Sequence, residues 1–225
     1  MKPAAAVAAV LFDLDGTLVD TAPDLIGTLQ ALRSRRGLSP LPEPSLRHQA
    51  SRGALGLLEA GFADQPGLDW QALRPEFLEH YANNLWVRSR PFAGIEAVLD
   101  GLADAGLVTA VVTNKPGFLT EPLLQAAGWS QRFACVISGD TVARSKPAPD
   151  PVLAACHRVG RDPGQCLFVG DDERDVTAGR AAGTLTSVAR WGYLPPGLDS
   201  TLWGADWQFE QPEQITSLLL SEMLE

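Results

Sequence analysis

The sequence contains only three cysteines, an odd number with no CxxC pair or metal-like spacing, and this scarcity fits a reducing compartment better than a disulfide framework. Basic residues are also few, 18 against 27 acidic ones, and the formal charge is −9. A chain this acidic repels phosphate backbones and anionic lipid at long range. We therefore expect neither nucleic acid nor a membrane among its partners.

Long hydrophobic runs are absent as well. No window approaches the ~20 apolar residues that a membrane span requires. The apolar start of the chain is interrupted by Asp13 and Asp15, too early for the apolar region of a signal peptide and its cleavage site. These features predict a cytoplasmic protein. We expect a monomer or a homodimer, a choice that the sequence leaves open.

The residues that are present are those of an ordinary globular protein. The chain has 225 residues, of which 45% are hydrophobic and 20% charged. Its length corresponds to about one and a half domains at ~150 residues each, so we expect one domain or one with an insert. A chain of this size forms a stable core without metal or disulfides, so any bound metal would serve chemistry.

The apolar patterns divide the chain into two parts. Residues 7–12 form a short apolar run, typical of a buried strand, and residues 20–88 carry only helical patterns, over 24–36, 45–61 and 69–85. After Pro91, strand and helix patterns alternate. The alternation predicts an α/β fold, a doubly wound parallel sheet with helices on both faces. We expect a core of residues 1–19 and 89–225, with residues 20–88, the helical insert, as a second domain.

The apolar patterns also give bounds for each predicted helix and strand of the α/β part. The helices are expected over residues 95–105, 118–127, 151–159 and 176–182, and a last one starts near residue 212. The strands are expected over residues 107–112, 134–138, 166–169, 185–189 and 207–209.

Polar residues follow several of these strands directly. Asp13 and Asp15 follow the first strand, and Asp171, Asp172 and Asp175 follow the strand over 166–169. Ligands of open α/β sheets bind outside the carboxyl ends of the strands, so these carboxylates should gather at one edge. Gathered carboxylates repel one another unless a cation neutralises them. Mg²⁺, which prefers oxygen ligands and retains waters for a substrate phosphate, is the natural choice.

A cation at this edge implies an anionic ligand. Lys146 lies in a loop between strands, and Thr113 and Asn114 follow the strand over 107–112. An ammonium, a hydroxyl and an amide are suitable donors to phosphate oxygens. Asp172 and Asp175 have a second interpretation, most of all Asp172, because aspartates in the first turn of the following helix also complement its dipole.

Four segments resemble the motifs of the haloacid dehalogenase-like superfamily. DLDGTLVDT is similar to its DxDGT signature, VVTNK to its second motif, SKPAPDP to its lysine motif and VGDDERD to its GDxxxD motif. All four occur in the family's order, and the resemblance covers essentially the whole chain. The helical insert is similar to the helical cap of the family's first cap class.

The resemblance implies a role for each matching residue. Asp13 would be the nucleophile that forms an aspartyl-phosphate, and Asp15 the acid and base of the two half-reactions. Mg²⁺ would be held by Asp13, by the backbone carbonyl of Asp15 and by Asp171, with Asp175 supporting from behind. The phosphoryl oxygens would be held by three further residues: Thr113, Asn114 and Lys146.

The helical insert is where the resemblance implies selectivity. Residues 51–58, SRGALGLL, resemble the cap substrate loop of phosphoglycolate phosphatases, so Ser51, Arg52 and Gly53 are candidate specificity residues. Arg52 could pair with a substrate carboxylate. The other interpretation is the start of a helix with an exposed arginine. No lysine occurs in residues 17–90, which excludes the phosphonate-cleaving relatives that use a cap lysine.

These features predict a phosphomonoesterase acting on a small phosphorylated metabolite, and the phosphoglycolate phosphatases are the subgroup it resembles most. Residues 190–206 are instead similar to N-acetylmuramic acid 6-phosphate phosphatases, which gives a second candidate substrate. A third hypothesis is a catalytically silent protein that binds a phosphorylated metabolite. Turnover of p-nitrophenyl phosphate separates it from the other two.

Overall fold

The structure, a computed structural model, describes residues 7–221. Its strands are β1 (Ala9–Phe12), β2 (Val19–Asp20), β3 (Arg90–Pro91), β4 (Val108–Val112), β5 (Cys135–Ile137), β6 (Cys166–Gly170), β7 (Leu185–Ala189) and β8 (Trp207–Phe209). Its helices are α1 (Ala22–Arg35), α2 (Glu43–Leu46), α3 (Gly53–Gly61), α4 (Arg74–Ala82), α5 (Ile95–Asp104), α6 (Gly117–Ala126), α7 (Asp150–Val159), α8 (Glu173–Ala182) and α9 (Glu213–Ser221).

Six of the strands form one parallel sheet in the order β5-β4-β1-β6-β7-β8. This arrangement confirms the predicted α/β fold. Strand β1 lies in the middle, and its last residue, Phe12, is in register with Val111 of β4 and Val169 of β6. All three strands therefore end at the same edge, and the polar residues that follow them meet there.

The sheet is buried on both faces because its side chains alternate between two apolar clusters. Val10 and Phe12 of β1 pack into the cluster that includes the buried side of α5 and α9. Ala9 and Leu11 point to the opposite face, where α7 and α8 pack. This alternation is the period-2 pattern of a pleated strand, and burial on both faces explains why β1 is apolar throughout.

The helical insert leaves the sheet after β1 and returns before α5. Strands β2 and β3 pair antiparallel where the chain leaves and where it re-enters, with Val19 opposite Pro91 and Asp20 opposite Arg90. Sequence analysis did not predict this short pairing, because two-residue strands have no detectable periodicity. Helices α1, α3 and α4 share a third apolar cluster, which also takes in Leu119 and Tyr193 from the α/β part.

Two predicted helices of the insert are shorter than expected. The pattern over residues 45–61 is interrupted, because α2 ends at Leu46 and a 3-10 segment over Arg47–Arg52 precedes α3. Gly53, with φ of +62°, stands at this junction, in a region that glycine enters at little cost. Helix α4 begins at Arg74 rather than at residue 69, after a 3-10 turn over Gln71–Leu73.

The division of the chain into residues 1–19 with 89–225 and residues 20–88 stays a proposal, and residues 1–6 and 222–225 lie outside the described part. Within residues 7–221, we find no helix that combines the length and apolar character needed to cross a membrane.

Candidate active site

A cavity of about 190 Å³ lies between the carboxyl edge of the sheet and the helical insert. The α/β part contributes loops that follow β1, β4 and β6, and the insert contributes α3, α4 and the 3-10 segment before α3. Its charged and polar walls contain every predicted site residue: Asp13, Asp15, Ser51, Arg52, Gly53, Thr113, Asn114, Lys146, Asp171 and Asp175.

Lys146 connects two of the aspartates in the floor of the cavity. Its Nζ lies 2.7 Å from Asp13 Oδ1 and 2.7 Å from Asp175 Oδ1, and it also donates to the carbonyl of Val112. Burial alone would lower the pKa of Lys146, but the charges of Asp13 and Asp175 outweigh it and raise that pKa above its usual value. Lys146 is therefore a cation in this site, fixed beside Asp13.

A third carboxylate, that of Asp171, lies beside the two that contact Lys146. Ligand oxygens of Asp13, Asp171 and Asp175 all lie within 4.8 Å of one another, and all three residues are buried. Burial raises the pKa of Asp171 well above its ordinary value, and the neighbouring Asp13 and Asp175 raise it further. The pKa of Asp175 is raised to about 7, chiefly by burial, although Lys146 opposes that shift.

These shifts indicate a site with more negative charge than its own cation neutralises. Lys146 is shared between Asp13 and Asp175, while Asp171 has only neutral partners among the residues described: Thr17 Oγ1 donates to it at 3.2 Å and the Tyr193 N–H at 2.8 Å. A hard divalent cation with oxygen ligands fits such a set of carboxylates. The three residues could hold a metal ion.

The turn after β1 brings the backbone against this cluster. Gly16 has φ of +89°, and a side chain there would run into Asp171 and the Tyr193 ring. Glycine is needed at this position both for its backbone conformation and for the close approach. The DxDGT segment thus packs tightly against the residue that follows β6.

Asp15 turns its carboxylate away from the three clustered carboxylates. It accepts hydrogen bonds from Lys115 Nζ at 2.9 and 3.3 Å and from Thr21 Oγ1 at 2.5 Å. Lys115 Nζ also donates to the Tyr81 hydroxyl of the helical insert at 3.1 Å. Burial alone would lower the pKa of Lys115, but Asp15 and Tyr81 raise it above its usual value. A chain of hydrogen bonds through Lys115 therefore links Asp15, the candidate acid and base, to Tyr81 of α4.

Thr113 and Asn114 follow β4, as expected, and make different contacts. The Thr113 hydroxyl accepts from the Lys115 N–H at 3.2 Å, and its side chain lines the cavity. Both polar atoms of the Asn114 amide are engaged by the main chain of Lys146. Asn114 therefore supports the loop that carries Lys146, and a direct contact to phosphate stays a prediction.

Asp172 begins α8 instead of pointing into the cluster. Its carboxylate accepts from the Arg174 N–H at 2.9 Å and from Arg174 Nε at 2.8 Å, while its own N–H donates to Asp175 Oδ2. This is a capping box, and it confirms the helix-terminus interpretation of Asp172. Arg174 then reaches across the cavity and donates to the carbonyl of Ser51 at 2.6 Å.

Arg52 is exposed and already has partners. Its guanidinium pairs with Glu59 at 2.5 Å and donates to Gln49 at 3.1 Å. Ser51, Arg52 and Gly53 all line the cavity, as a substrate loop requires. Their part in selecting a substrate stays a prediction.

Comparison with known proteins identifies the family. Residues 7–183 match the model of the haloacid dehalogenase-like hydrolases. This match covers more than half of the chain. The chain belongs to the haloacid dehalogenase-like hydrolase family. The resemblance of the four motifs is thereby confirmed, and the enzyme class, a hydrolase, is that of the family.

Curated relatives and solved structures agree with this assignment. The chain is 44% identical over 214 residues to the N-acetylmuramic acid 6-phosphate phosphatase of Pseudomonas aeruginosa, covering 94% of each sequence. It is 45% identical over 207 residues to the phosphoglycolate phosphatase of Xanthomonas campestris pv. campestris, covering 92% of this chain and 94% of that protein. The structure of a predicted phosphoglycolate phosphatase from Haemophilus somnus superposes with a TM-score of 0.84 at 28% identity, covering 95% of this chain and 98% of that one.

Several residues of this haloacid dehalogenase-like site were missed by sequence reasoning. Lys115 stands inside the quoted VVTNK motif and is one of only three lysines, a signal that could have found it. Tyr193 lies in the segment that suggested the second candidate substrate. Arg174 stands inside the quoted VGDDERD motif, which could have found it in the same way. Arg74 and Tyr81 carry no sequence signal, because their place at the cavity depends on how the insert packs over the sheet.

Proposed function

We propose that this protein is a Mg²⁺-dependent phosphomonoesterase that works through an aspartyl-phosphate on Asp13. The observation that carries the proposal is the contact between Asp13 and Lys146, 2.7 Å apart in the floor of a cavity that also contains Asp15. A carboxylate beside a fixed cation is suited to attack a phosphorus atom whose oxygens that cation also binds.

The two half-reactions use the two aspartates in turn. An Asp13 carboxylate oxygen forms a bond to phosphorus as the bond from phosphorus to the leaving oxygen breaks, and Asp15 gives that oxygen a proton. Asp15 then takes a proton from water, whose oxygen bonds to phosphorus and releases Asp13 with inorganic phosphate. Lys146 and Thr113 stabilise the negative charge of the phosphoryl oxygens throughout.

Magnesium is the cation that the carboxylate set favours. Asp13 and Asp171 would hold it, with the main-chain carbonyl of Asp15, and Asp175 would support it from the Lys146 side. When bound, it would neutralise charge on the phosphate and on the carboxylates. Oxygen ligands from carboxylates and carbonyls are those that Mg²⁺ prefers in proteins.

The first candidate substrate is 2-phosphoglycolate. Support comes from the phosphoglycolate phosphatase of Xanthomonas campestris, which is 45% identical over nearly the whole chain. The acidic chain agrees with a small metabolite as substrate, because it would repel a nucleic acid at long range.

The second candidate substrate is N-acetylmuramic acid 6-phosphate. The P. aeruginosa relative of that name is 44% identical, with equal coverage of both sequences. The cavity wall favours it, because apolar side chains of the insert line the space beyond the aspartates: Leu25, Leu55, Phe77 and Leu78. A two-carbon acid needs little of this wall, whereas a sugar ring presents apolar faces to it.

Phosphate release from p-nitrophenyl phosphate tests the activity. We expect turnover with Mg²⁺, loss of turnover with EDTA, and a fall of at least about 10³-fold in kcat for Asp13→Asn, because the amide is a very poor nucleophile. Asp104→Asn, on the exposed end of α5, is the matched control and should keep full activity. Equal rates for Asp13→Asn and the wild type would overturn the nucleophile assignment. Comparing kcat/KM for the two candidate substrates then orders them.

A further inference from the structure

Five cationic side chains line the cavity, and they are not equivalent. Two are lysines of the α/β part and one is an arginine of α8, whereas two arginines come from the helical insert. They are Lys115, Lys146, Arg174, Arg52 and Arg74. A cation whose charge is already balanced by a carboxylate offers less attraction to a second anion than one that is not.

Four of the five already have a carboxylate partner. Lys146 contacts Asp13 and Asp175, and Lys115 contacts Asp15. The two paired arginines are Arg174, with Asp172, and Arg52, with Glu59. Among the residues that the structure describes, the guanidinium of Arg74 has no hydrogen bond or ion pair.

Arg74 belongs to the face of α4 that points into the cavity. The cavity is lined by residues 74, 77, 78 and 81 of this helix and by none of its other residues. These positions have the spacing i, i+3, i+4 and i+7, which is one face of an α-helix. Arg74 therefore shares the cavity face with Phe77, Leu78 and Tyr81.

The length of α4 between Arg74 and Tyr81 indicates how far Arg74 lies from Asp15. Tyr81 contacts Lys115, which in turn holds Asp15. Seven residues at 1.5 Å per residue separate Arg74 from Tyr81 by about 10 Å along the helix axis. The apolar side chains of Phe77 and Leu78 occupy the interval. Arg74 thus stands at the end of the cavity away from Asp15.

We propose that Arg74 binds a carboxylate on the substrate, at the end opposite to the phosphate. This inference rests on the proposed phosphatase function and assigns its substrate class: a phosphomonoester with an uncharged, sugar-sized body between the phosphate and a carboxylate. Such a molecule places its phosphate at Asp13 and Lys146, its body against Phe77 and Leu78, and its carboxylate at the free guanidinium. Arg52, the residue that the sequence suggested for this role, is held by Glu59 and Gln49.

A matched pair of substrates tests the assignment. N-acetylmuramic acid 6-phosphate and N-acetylglucosamine 6-phosphate differ by the lactyl ether that carries the carboxylate. The ratio of their kcat/KM values isolates the contribution of that group. We expect the wild type to prefer the carboxylated member. Arg74→Gln should lower the ratio by about 10- to 100-fold, the range expected when a charge-assisted hydrogen bond is lost.

Three further variants serve as comparisons. Arg74→Lys keeps the charge without the guanidinium fork and should retain part of the preference. Arg35→Gln removes an exposed arginine of α1 that does not line this cavity, and its ratio should equal that of the wild type. Arg52→Gln should change the ratio less than Arg74→Gln. Because Arg74 is exposed and without a partner, its variants are expected to fold, which a melting curve verifies.

Four outcomes would contradict the assignment of Arg74 or the function on which it rests. The assignment would be overturned if the wild type did not prefer the carboxylated member. It would also be overturned if Arg74→Gln lowered kcat/KM equally for both substrates. A loss of preference in Arg52→Gln and not in Arg74→Gln would transfer the role to Arg52. If the wild type released phosphate from neither sugar nor p-nitrophenyl phosphate, the failure would be that of the proposed function.

Discussion

The side-chain amide of Asn114 holds the main chain of Lys146 on both sides. Asn114 Nδ2 donates to the Lys146 carbonyl at 2.9 Å, and the Lys146 N–H donates to Asn114 Oδ1 at 3.0 Å. This pair ties the loop after β4 to the loop before α7. It fixes the main-chain position of Lys146, the residue whose Nζ contacts Asp13 and Asp175. We therefore regard Asn114 as a positioning residue for Lys146.

Replacing Asn114 by leucine should lower kcat rather than raise KM. Two hydrogen bonds of about 0.5–1.5 kcal/mol each are lost, and a lysine displaced from Asp13 stabilises the transition state less well, so we expect kcat to fall by about tenfold or more. Steady-state kinetics with p-nitrophenyl phosphate measure the two constants. An increase in KM at unchanged kcat would instead indicate that Asn114 binds the phosphate directly.

Removing the hydroxyl of Tyr193 should destabilise the protein. This oxygen accepts from the N–H groups of Thr21 at 2.7 Å and Ala22 at 2.9 Å, where α1 begins, and all these groups are buried. Tyr193→Phe leaves both donors without this acceptor, so we expect the free energy of unfolding to fall by about 1–3 kcal/mol. Urea unfolding measures the change.

The other tyrosine provides the comparison. Tyr81 is equally buried, but among the described residues its hydroxyl accepts only from Lys115, which has Asp15 as a second partner. Tyr81→Phe should therefore cost less stability than Tyr193→Phe. If the two variants were equally stable, the contacts of Tyr193 with the start of α1 would contribute nothing beyond an ordinary buried hydroxyl.

The stability of the metal-free protein should decrease as the pH rises. The folded-state pKa of Asp171 is raised well above its ordinary value and that of Asp175 is raised to about 7, in both cases chiefly by burial. Groups with a raised folded-state pKa bind protons more tightly in the native state. Their contribution to stability is therefore complete below the unfolded pKa of about 3.9 and is lost as the pH rises to the folded pKa.

Urea unfolding in EDTA at about pH 5 and about pH 8 measures this effect. We expect Asp175→Asn to weaken the dependence on pH, because the amide does not titrate. Adding Mg²⁺ at the higher pH should restore stability to the wild type, since a ligand that binds the native state stabilises it. An identical pH dependence for Asp175→Asn and the wild type would contradict the raised pKa.

The parts of the site that sequence analysis predicted are those placed by the sheet. Asp13, Thr113 and Asp171 follow parallel strands, and parallel strands end at a common edge whatever the details of packing. Lys146 was found through its motif and its rarity. The strand over Leu185–Ala189 and the strand over Trp207–Phe209 have the predicted bounds.

The parts that were missed depend on contacts between distant segments. Lys115 reaches Tyr81 only because the helical insert packs over the sheet, and Arg74 lies at the cavity for the same reason. The end of α2 at Leu46 follows from the backbone of the next segment, which apolar periodicity does not report. Periodicity predicts which face of an element is buried and does not predict the partner of an individual polar side chain.

A covalent intermediate on Asp13 is the central claim, and acid-quench labelling tests it most directly. Enzyme mixed with a phosphate-labelled substrate and Mg²⁺ is quenched in acid within one turnover, and its peptides are analysed by mass spectrometry. We predict one labelled aspartate, Asp13, and no label in the Asp13→Asn variant. Rapid turnover without any labelled peptide, or label on Asp15 instead, would contradict the account.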